Sequence, residues 1–150
     1  AVLSRSQAKL DIAKQLGADV VLRADGSDRT PEIREAAGGD GAQCVFDCVG
    51  LASTMKESAS YVMRGGQIVV IGEEPEHPAI DTIQIAQREL AVMGSRNGSR
   101  QDFLDSISML AAGIIRPPIA REYPLEEINE ALQYLRSGQS AARIIVRIKE

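Results

Sequence analysis

Gly65-Gly66-Gln67-Ile68-Val69-Val70-Ile71-Gly72 decides the fold. Four consecutive β-branched residues, Ile68 to Ile71, stand between glycines, and such side chains are stiff at χ1 and pack well on a pleated surface. A strand is therefore predicted over Gln67 to Gly72. Reading outward toward the N-terminus, Gly65-Gly66 break a helix that starts at Ser53 or Thr54 and runs to about Met63. Before it lies a strand from Cys44 to Val49, ending in Gly50. Further back, Thr30-Pro31 open a short helix through Ala37, with proline at the first helical position. Asp19 to Leu22 is a short strand. Ser6 is placed to cap a helix from Gln7 to Leu16, with Leu10, Ala13 and Leu16 on one face and Gly17 as its stop. Ala1 to Leu3 reads as the end of a strand.

Toward the C-terminus the same rhythm continues. An acidic connection, Glu73 to Pro78, leads to a short helix over Ile83 to Gln87 and a strand over Leu90 to Met93. Ser99 with Asp102 forms a capping pair for a helix ending at Gly113. Pro117 to Glu122 is extended, and Pro124 opens an amphipathic helix with Ile128, Ala131, Leu132 and Leu135 as its stripe and Gly138 as its stop. Ala142 to Ile148 is the last strand. Strands alternating with helices over short connections specify a parallel sheet covered on both faces, with right-handed crossovers. Ligands of such sheets bind beyond the carboxyl ends of the strands. That directs attention to Ser4-Arg5, Val49-Gly50, Ile71-Gly72-Glu73 and Ser95-Arg96-Asn97.

Bulk properties exclude several classes of function. At 150 residues the chain suits one domain with a real core, and 44% hydrophobic with 25% charged residues is an ordinary soluble composition. A net charge of −4 gives no electrostatic reason to expect DNA, RNA or an anionic membrane as partner. The most apolar run is strand-sized, and the first residues lack a charged region followed by a long apolar stretch, so a cytoplasmic location is expected. Cys44 and Cys48 would share a strand face with Phe46. They are expected to be buried core thiols in a reducing compartment, since C-x-x-x-C matches no zinc or thioredoxin-like spacing. His77, the single histidine, reads as a solvated loop residue, and Asp47 as a local hydrogen-bonding group at a strand end. The chain opens on Ala1 directly into an apolar strand, which reads as a truncated domain.

The motifs Ser4-Arg5-Ser6-x-x-Lys9-Leu10, Leu16-Gly17-Ala18-Asp19, Asp47-Cys48-Val49-Gly50, Gly65 to Gly72, Met93-Gly94-Ser95, Tyr123 to Leu132 (Y-P-L-E-E-I-N-E-A-L) and Arg143-Ile144-Ile145-Val146 occur in this order. Together they resemble the medium-chain alcohol dehydrogenase family (zinc-binding dehydrogenases) along the whole chain. The resemblance implies an α/β fold, a Rossmann-type doubly wound parallel sheet, incomplete because the first strand and its glycine-rich G-x-G-x-x-G turn are missing. Residues 1–150 would form a partial NAD(P)-binding domain, with about 117–150 returning toward a catalytic domain that carries the zinc ligands in this family and is absent here. No catalytic or metal-ligating residue is then expected in the chain, and the fragment alone should be inactive. The missing strand is central in the order 3-2-1-4-5-6, so the strands ending at Ser4 and Val49 would lack a neighbour. The isolated chain should be poorly stable or aggregation-prone.

The resemblance also assigns cofactor positions. Ser4 matches the residue that reads the adenosine ribose, where an acid would favour NAD. A serine followed by Arg5 suits a 2′-phosphate and NADP, although an arginine there also stacks on adenine with NAD bound. Lys9 matches a position reaching the ribose, or is a solvated helix lysine. Val49 and Gly50 should face the adenosine half, and Ile71, Gly72 and Glu73 the nicotinamide ribose and ring. Glu73 departs from the apolar or small residue usual there. Ser95, Arg96 and Asn97 match the segment that bonds the nicotinamide amide, and Arg143 a basic position near the pyrophosphate, or a surface arginine. The implied parent transfers hydride between an alcohol or polyol and nicotinamide, with zinc as Lewis acid in the missing domain. The alternatives are a zinc-free quinone or enoyl reductase, or a noncatalytic dinucleotide-binding module. The partners implied are a small alcohol or carbonyl substrate and, through an edge strand near Leu90 to Met93, further copies in a homodimer or homotetramer.

Overall fold

The computed structural model describes residues 1–75 and 80–148; His77 and Pro78 lie outside them. Strands and helices alternate as expected: β1 (Val2–Ser4), α1 (Gln7–Gln15), β2 (Val21–Arg23), α2 (Thr30–Ala36), β3 (Ala42–Asp47), α3 (Ala52–Tyr61), β4 (Val62–Val70), α4 (Thr82–Arg88), β5 (Ala91–Gly94), α5 (Arg100–Ala111), β6 (Ile119–Pro124), α6 (Ile128–Arg136) and β7 (Arg143–Arg147). Every strand pair is parallel. The strands form three sheets rather than one, in the orders β1-β2, β3-β4-β5 and β6-β7. The chain divides into two compact units, one of Gly26–Asn97 with Ala1, the other of Val2–Asp25 and the residues from Gly98.

In the first unit β4 is the middle strand. Its register with both neighbours aligns Val45, Ile68 and Val92 in one row across the sheet, and Phe46, Val69 and Met93 in the next. Side chains of adjacent rows point to opposite faces. The Val45 row is covered: Ile68 is 1% exposed and clusters with Met55 of α3, Val62 and Leu90. Burying Ile68 alone is worth roughly 1.5–3 kcal/mol. Phe46 and Met93 on the other face are exposed, and so are Cys44 and Cys48, both free thiols. The expectation of buried cysteines is thus corrected: they share the face of Phe46, opposite the row that packs against Met55 and Ala59 of α3. Arg88 of α4 donates to the carbonyls of Ala59 and Val62, joining α4 to the point where α3 passes into β4.

Gly65-Gly66 do not break the chain between helix and strand. α3 ends at Tyr61, and β4 starts at Val62 and runs through both glycines. The pairing with β3 shifts register between Ala42 and Cys44. A side chain at Gly66 would lie 2.6 Å from a Val62 methyl and 2.9 Å from the Gln43 carbonyl; glycine is required by that close approach at the irregularity.

In the second unit α1 covers the β1-β2 pair through Leu10, which is buried. Ser6 is the N-cap residue as expected, but its side chain makes no capping bond; its own N–H donates to Ser4 Oγ at 3.2 Å. The strand expected from Asp19 starts at Val21. Ser99 and Asp102 form the expected reciprocal capping box of α5. Pro124 ends β6 instead of opening a helix: it is extended, and a 3-10 turn, Leu125–Glu127, precedes α6. Tyr123 and Ala131 are the buried residues of β6 and α6, while Leu132 and Leu135 of the amphipathic stripe stay exposed. The stripe is wider than this part of the unit covers.

Candidate functional site

Because β3, β4 and β5 run parallel and in register, their carboxyl ends form one rim. Eight of the positions singled out from the sequence lie on it: Val49 and Gly50 after β3, Ile71, Gly72 and Glu73 after β4, Ser95, Arg96 and Asn97 after β5. Polar groups of the backbone and of Asp47 hold these segments in place. Asp47 is buried. Its Oδ1 accepts the N–H groups of Val49 at 2.9 Å and Gly50 at 3.0 Å, and its Oδ2 accepts the Thr54 hydroxyl at 2.8 Å. The Asp47 carbonyl accepts the N–H groups of Ile71 at 2.8 Å and Gly72 at 3.0 Å. Ser95 N–H donates to the Val70 carbonyl at 2.9 Å, fixing the third segment against the second.

Two glycines interlock at this rim. Gly50 is buried with φ +83°, a left-handed backbone that side chains disfavour. A Cβ there would meet the Gly72 carbonyl oxygen at 2.4 Å, and a Cβ at Gly72 would meet the Val49 carbonyl carbon at 2.1 Å. Gly50 thus makes a close backbone approach to Gly72. Val49 and Ile71 are exposed beside it. Farther along, Arg96 Nε lies 3.1 Å from Glu73 Oε1. This ion pair gives Glu73 a partner on the neighbouring segment. Both side chains are exposed, so the pair adds at most about 1 kcal/mol. Asn97 takes a left-handed conformation, φ +57°, which asparagine tolerates better than most residues.

The other four positions lie in the second unit: Ser4, Arg5 and Lys9 gather around the start of α1, and Arg143 lies in a different sheet. Ser4 closes β1, half-buried, opposite Arg23 of β2 in the parallel register. Partners in that register place their side chains on the same face of the sheet. Arg5 and Lys9 are exposed, Arg5 just before α1 and Lys9 in its first turn. That turn contains no acidic residue, and the N–H groups at a helix start attract anions. Two cations there oppose the helix dipole unless an anion is bound between them. Arg143 is the first residue of β7, exposed, and belongs to the β6-β7 sheet rather than to β1.

Sequence reasoning named Asp47 only as a local hydrogen-bonding group and did not identify its hold on the second segment. That hold runs through a main-chain carbonyl, which no residue type reveals. Among the described residues no group of three or more His, Cys, Asp or Glu side chains could hold a metal ion. No helix among them is long and apolar enough to cross a membrane.

The profile of the family described as zinc-binding dehydrogenase matches residues 1–112. An NAD-dependent alcohol dehydrogenase of Sulfurisphaera tokodaii is 30% identical over 91% of this chain and 40% of its own length. A D-arabinose 1-dehydrogenase (NADP(+)) of Saccharolobus solfataricus is 29% identical over 96% of this chain and 40% of its own. Among solved structures, the alcohol dehydrogenase of Aeropyrum pernix superposes with a TM-score of 0.82 at 27% identity, over 95% of this chain and 40% of that one. The chain thus spans about two-fifths of the length of the curated relatives it matches. With a parallel α/β architecture shared with these dehydrogenases and a family match over most of its residues, the chain belongs to the zinc-binding dehydrogenase family.

Proposed function

We propose that this chain is the dinucleotide-binding part of an alcohol or polyol dehydrogenase that uses NADP(H). The observation that carries the choice of dinucleotide is the group at the start of α1. Ser4 stands where an acid would reject a 2′-phosphate, and Arg5 and Lys9 flank a helix start whose first turn has no acidic residue. Arginine can pair with a phosphate through two parallel bonds, the serine hydroxyl can donate a third, and the helix amides add a positive field. Relatives of this chain include one named for NAD and one named for NADP(+); the family alone therefore does not choose, and Ser4 with Arg5 is what supports NADP(H).

Within the first unit, the rim at the ends of β3, β4 and β5 is by itself suited to a dinucleotide. Val49 and Ile71 offer exposed apolar surface beside a backbone rigidified by Gly50 and Gly72. The nicotinamide group, when bound, supplies hydride acceptance and donation; the chain's own residues bind and orient it. Among the described residues the chain offers no group of three or more donors for zinc.

The test is cofactor binding by the protein encoded by the complete reading frame. Calorimetry should show NADPH bound more tightly than NADH by about tenfold or more, since a charge-assisted hydrogen bond contributes about 1.5–3 kcal/mol. Arg5→Ala should weaken NADPH alone, and Ser4→Asp should invert the preference. Tighter binding of NADH together with no response of NADPH affinity to Arg5→Ala would refute the choice of NADP(H).

A further inference from the structure

Asp47 stands between two loops that the fold brings to the same rim, and it holds each by a different chemical group. Its carboxylate holds the Val49-Gly50 turn and Thr54 at the start of α3. Its carbonyl holds Ile71 and Gly72 beyond β4. Thr54 extends the arrangement, since its hydroxyl oxygen accepts the Leu51 N–H at 3.1 Å and also lies 3.1 Å from the Leu51 carbonyl. The two loops touch backbone to backbone at Gly50 and Gly72, with no room for a Cβ on either side. A change at Asp47 cannot therefore move one loop without moving the other.

The charge of Asp47 is also informative. A buried carboxylate near a surface that receives an anionic cofactor would repel it unless local donors absorb the charge. Here two amides and a hydroxyl do so, and bonds to an ionised acceptor are roughly twice as strong as neutral ones. An uncharged side chain would repel less, but it would hold the turn less firmly.

We propose that Asp47 is the positioning residue of the dinucleotide rim: it sets the Val49-Gly50 and Ile71-Gly72 segments as one rigid surface, and cofactor affinity depends on it. The inference rests on the reading that this rim receives a dinucleotide. It does not depend on which dinucleotide, because Asp47 belongs to the rim and Ser4 and Arg5 to the separate group at α1.

The variants Asp47→Ala and Asp47→Asn, in the protein from the complete reading frame, separate positioning from simple stability. Alanine leaves the Val49 and Gly50 amides without their acceptor. Asparagine keeps an acceptor oxygen for both, and its amide can donate to Thr54 Oγ1 while that hydroxyl donates to Leu51. Asp47→Ala should raise Kd and KM for NADPH and NADH by a common factor of about tenfold, the loss expected for stranded buried donors. Its kcat at saturating cofactor should change less than KM. Asp47→Asn should recover most of the affinity, to within about threefold of the parent.

Unchanged Kd in Asp47→Ala, with only a lower Tm, would overturn the proposal. So would an Asp47→Asn variant as weak as the alanine one. Should Asp47→Ala fail to fold, Thr54→Val decides instead: raised cofactor Kd supports the proposal and unchanged Kd overturns it. The NADPH-to-NADH ratio of the parent tests the choice of cofactor, whereas the common factor tests Asp47. A parent protein that binds neither dinucleotide would overturn both.

Discussion

Replacing Gly50 by alanine should destabilise the first unit by more than backbone strain alone, and the excess can be worked out from the structure. At φ +83° an L-residue pays about 1–2 kcal/mol for the left-handed backbone. The added Cβ would stand 2.4 Å from the Gly72 carbonyl oxygen and 2.8 Å from its carbonyl carbon. Neither atom is the mobile end of a side chain, because the Gly72 N–H is held by Asp47 at 3.0 Å. Forcing a methyl into such a contact costs about 1–3 kcal/mol, so the total is about 2–5 kcal/mol. That is a large part of the stability of an ordinary domain, about 5–15 kcal/mol. Gly26 supplies the control. Its φ is +91° and nothing lies within 4 Å of the place a methyl would occupy, so Gly26→Ala should show the backbone share alone. Equilibrium urea unfolding of both variants in the protein from the complete reading frame gives the two values. If Gly50→Ala is no more destabilised than Gly26→Ala, the interlock between Gly50 and Gly72 is not what holds the rim, and the reasoning fails.

Three further outcomes are expected. Ser99→Ala removes the acceptor for Asp102 N–H at the start of α5 and should lower stability by about 1 kcal/mol in the same unfolding experiment. Asp28 and Asp102 both have carboxyl pKa values held below the usual range, each first by a side-chain hydrogen bond, to Thr30 and Ser99 respectively. A lowered folded-state pKa contributes stability that is present above about pH 4 and lost as pH falls through the folded value; acid unfolding of Asp102→Asn should therefore converge with that of the parent at low pH. Burial, followed by the charge of Glu57, pushes the Tyr61 phenol up to about 12. A raised pKa contributes stability that is full below the unfolded value of about 10 and lost as pH rises toward the folded one. Tyr61→Phe should lack that alkaline loss, and a phenolate absorbance appearing near pH 10 for every tyrosine would contradict it.

Much of the architecture could be read from local pattern. The β-branched run at Ile68 to Ile71, the Thr30-Pro31 opening and the Ser99–Asp102 pair announce their elements because the causes are local: χ1 stiffness, a preset φ, and a side chain within reach of the first free amides. That eight of the candidate positions share one rim was legible for a related reason. Parallel strands end on one side, so the residues just beyond Asp47, Val70 and Gly94 had to share a rim once the strands were recognised. The family motifs added the expected role of each position and the distinction between Ser4 with Arg5 and an acid.

Packing settled the rest. The pattern of residues does not say which face of the β3-β4-β5 sheet is covered, and Cys44, Phe46 and Cys48 came out exposed while the Val45 row packs against Met55 and Ala59 of α3. Gly65-Gly66 look like a break in any local reading. Only pairing with β3 shows them inside a strand, where Gly66 avoids the Val62 methyl and the Gln43 carbonyl. Pro124 satisfies the rule for a helix start and still ends a strand, since its pairing with Arg147 extends β6 through it. Gly50 and Gly72 are separated by a helix and a strand, and their mutual contact is made by backbone atoms common to all residues. Residue order was enough to specify which segments are strands and helices and which residues stand at their ends, because those follow from short-range sterics and capping. Which backbones meet there, and that Asp47 joins two of them, depended on tertiary packing, because contacts through main-chain carbonyls and missing side chains leave no mark on residue type.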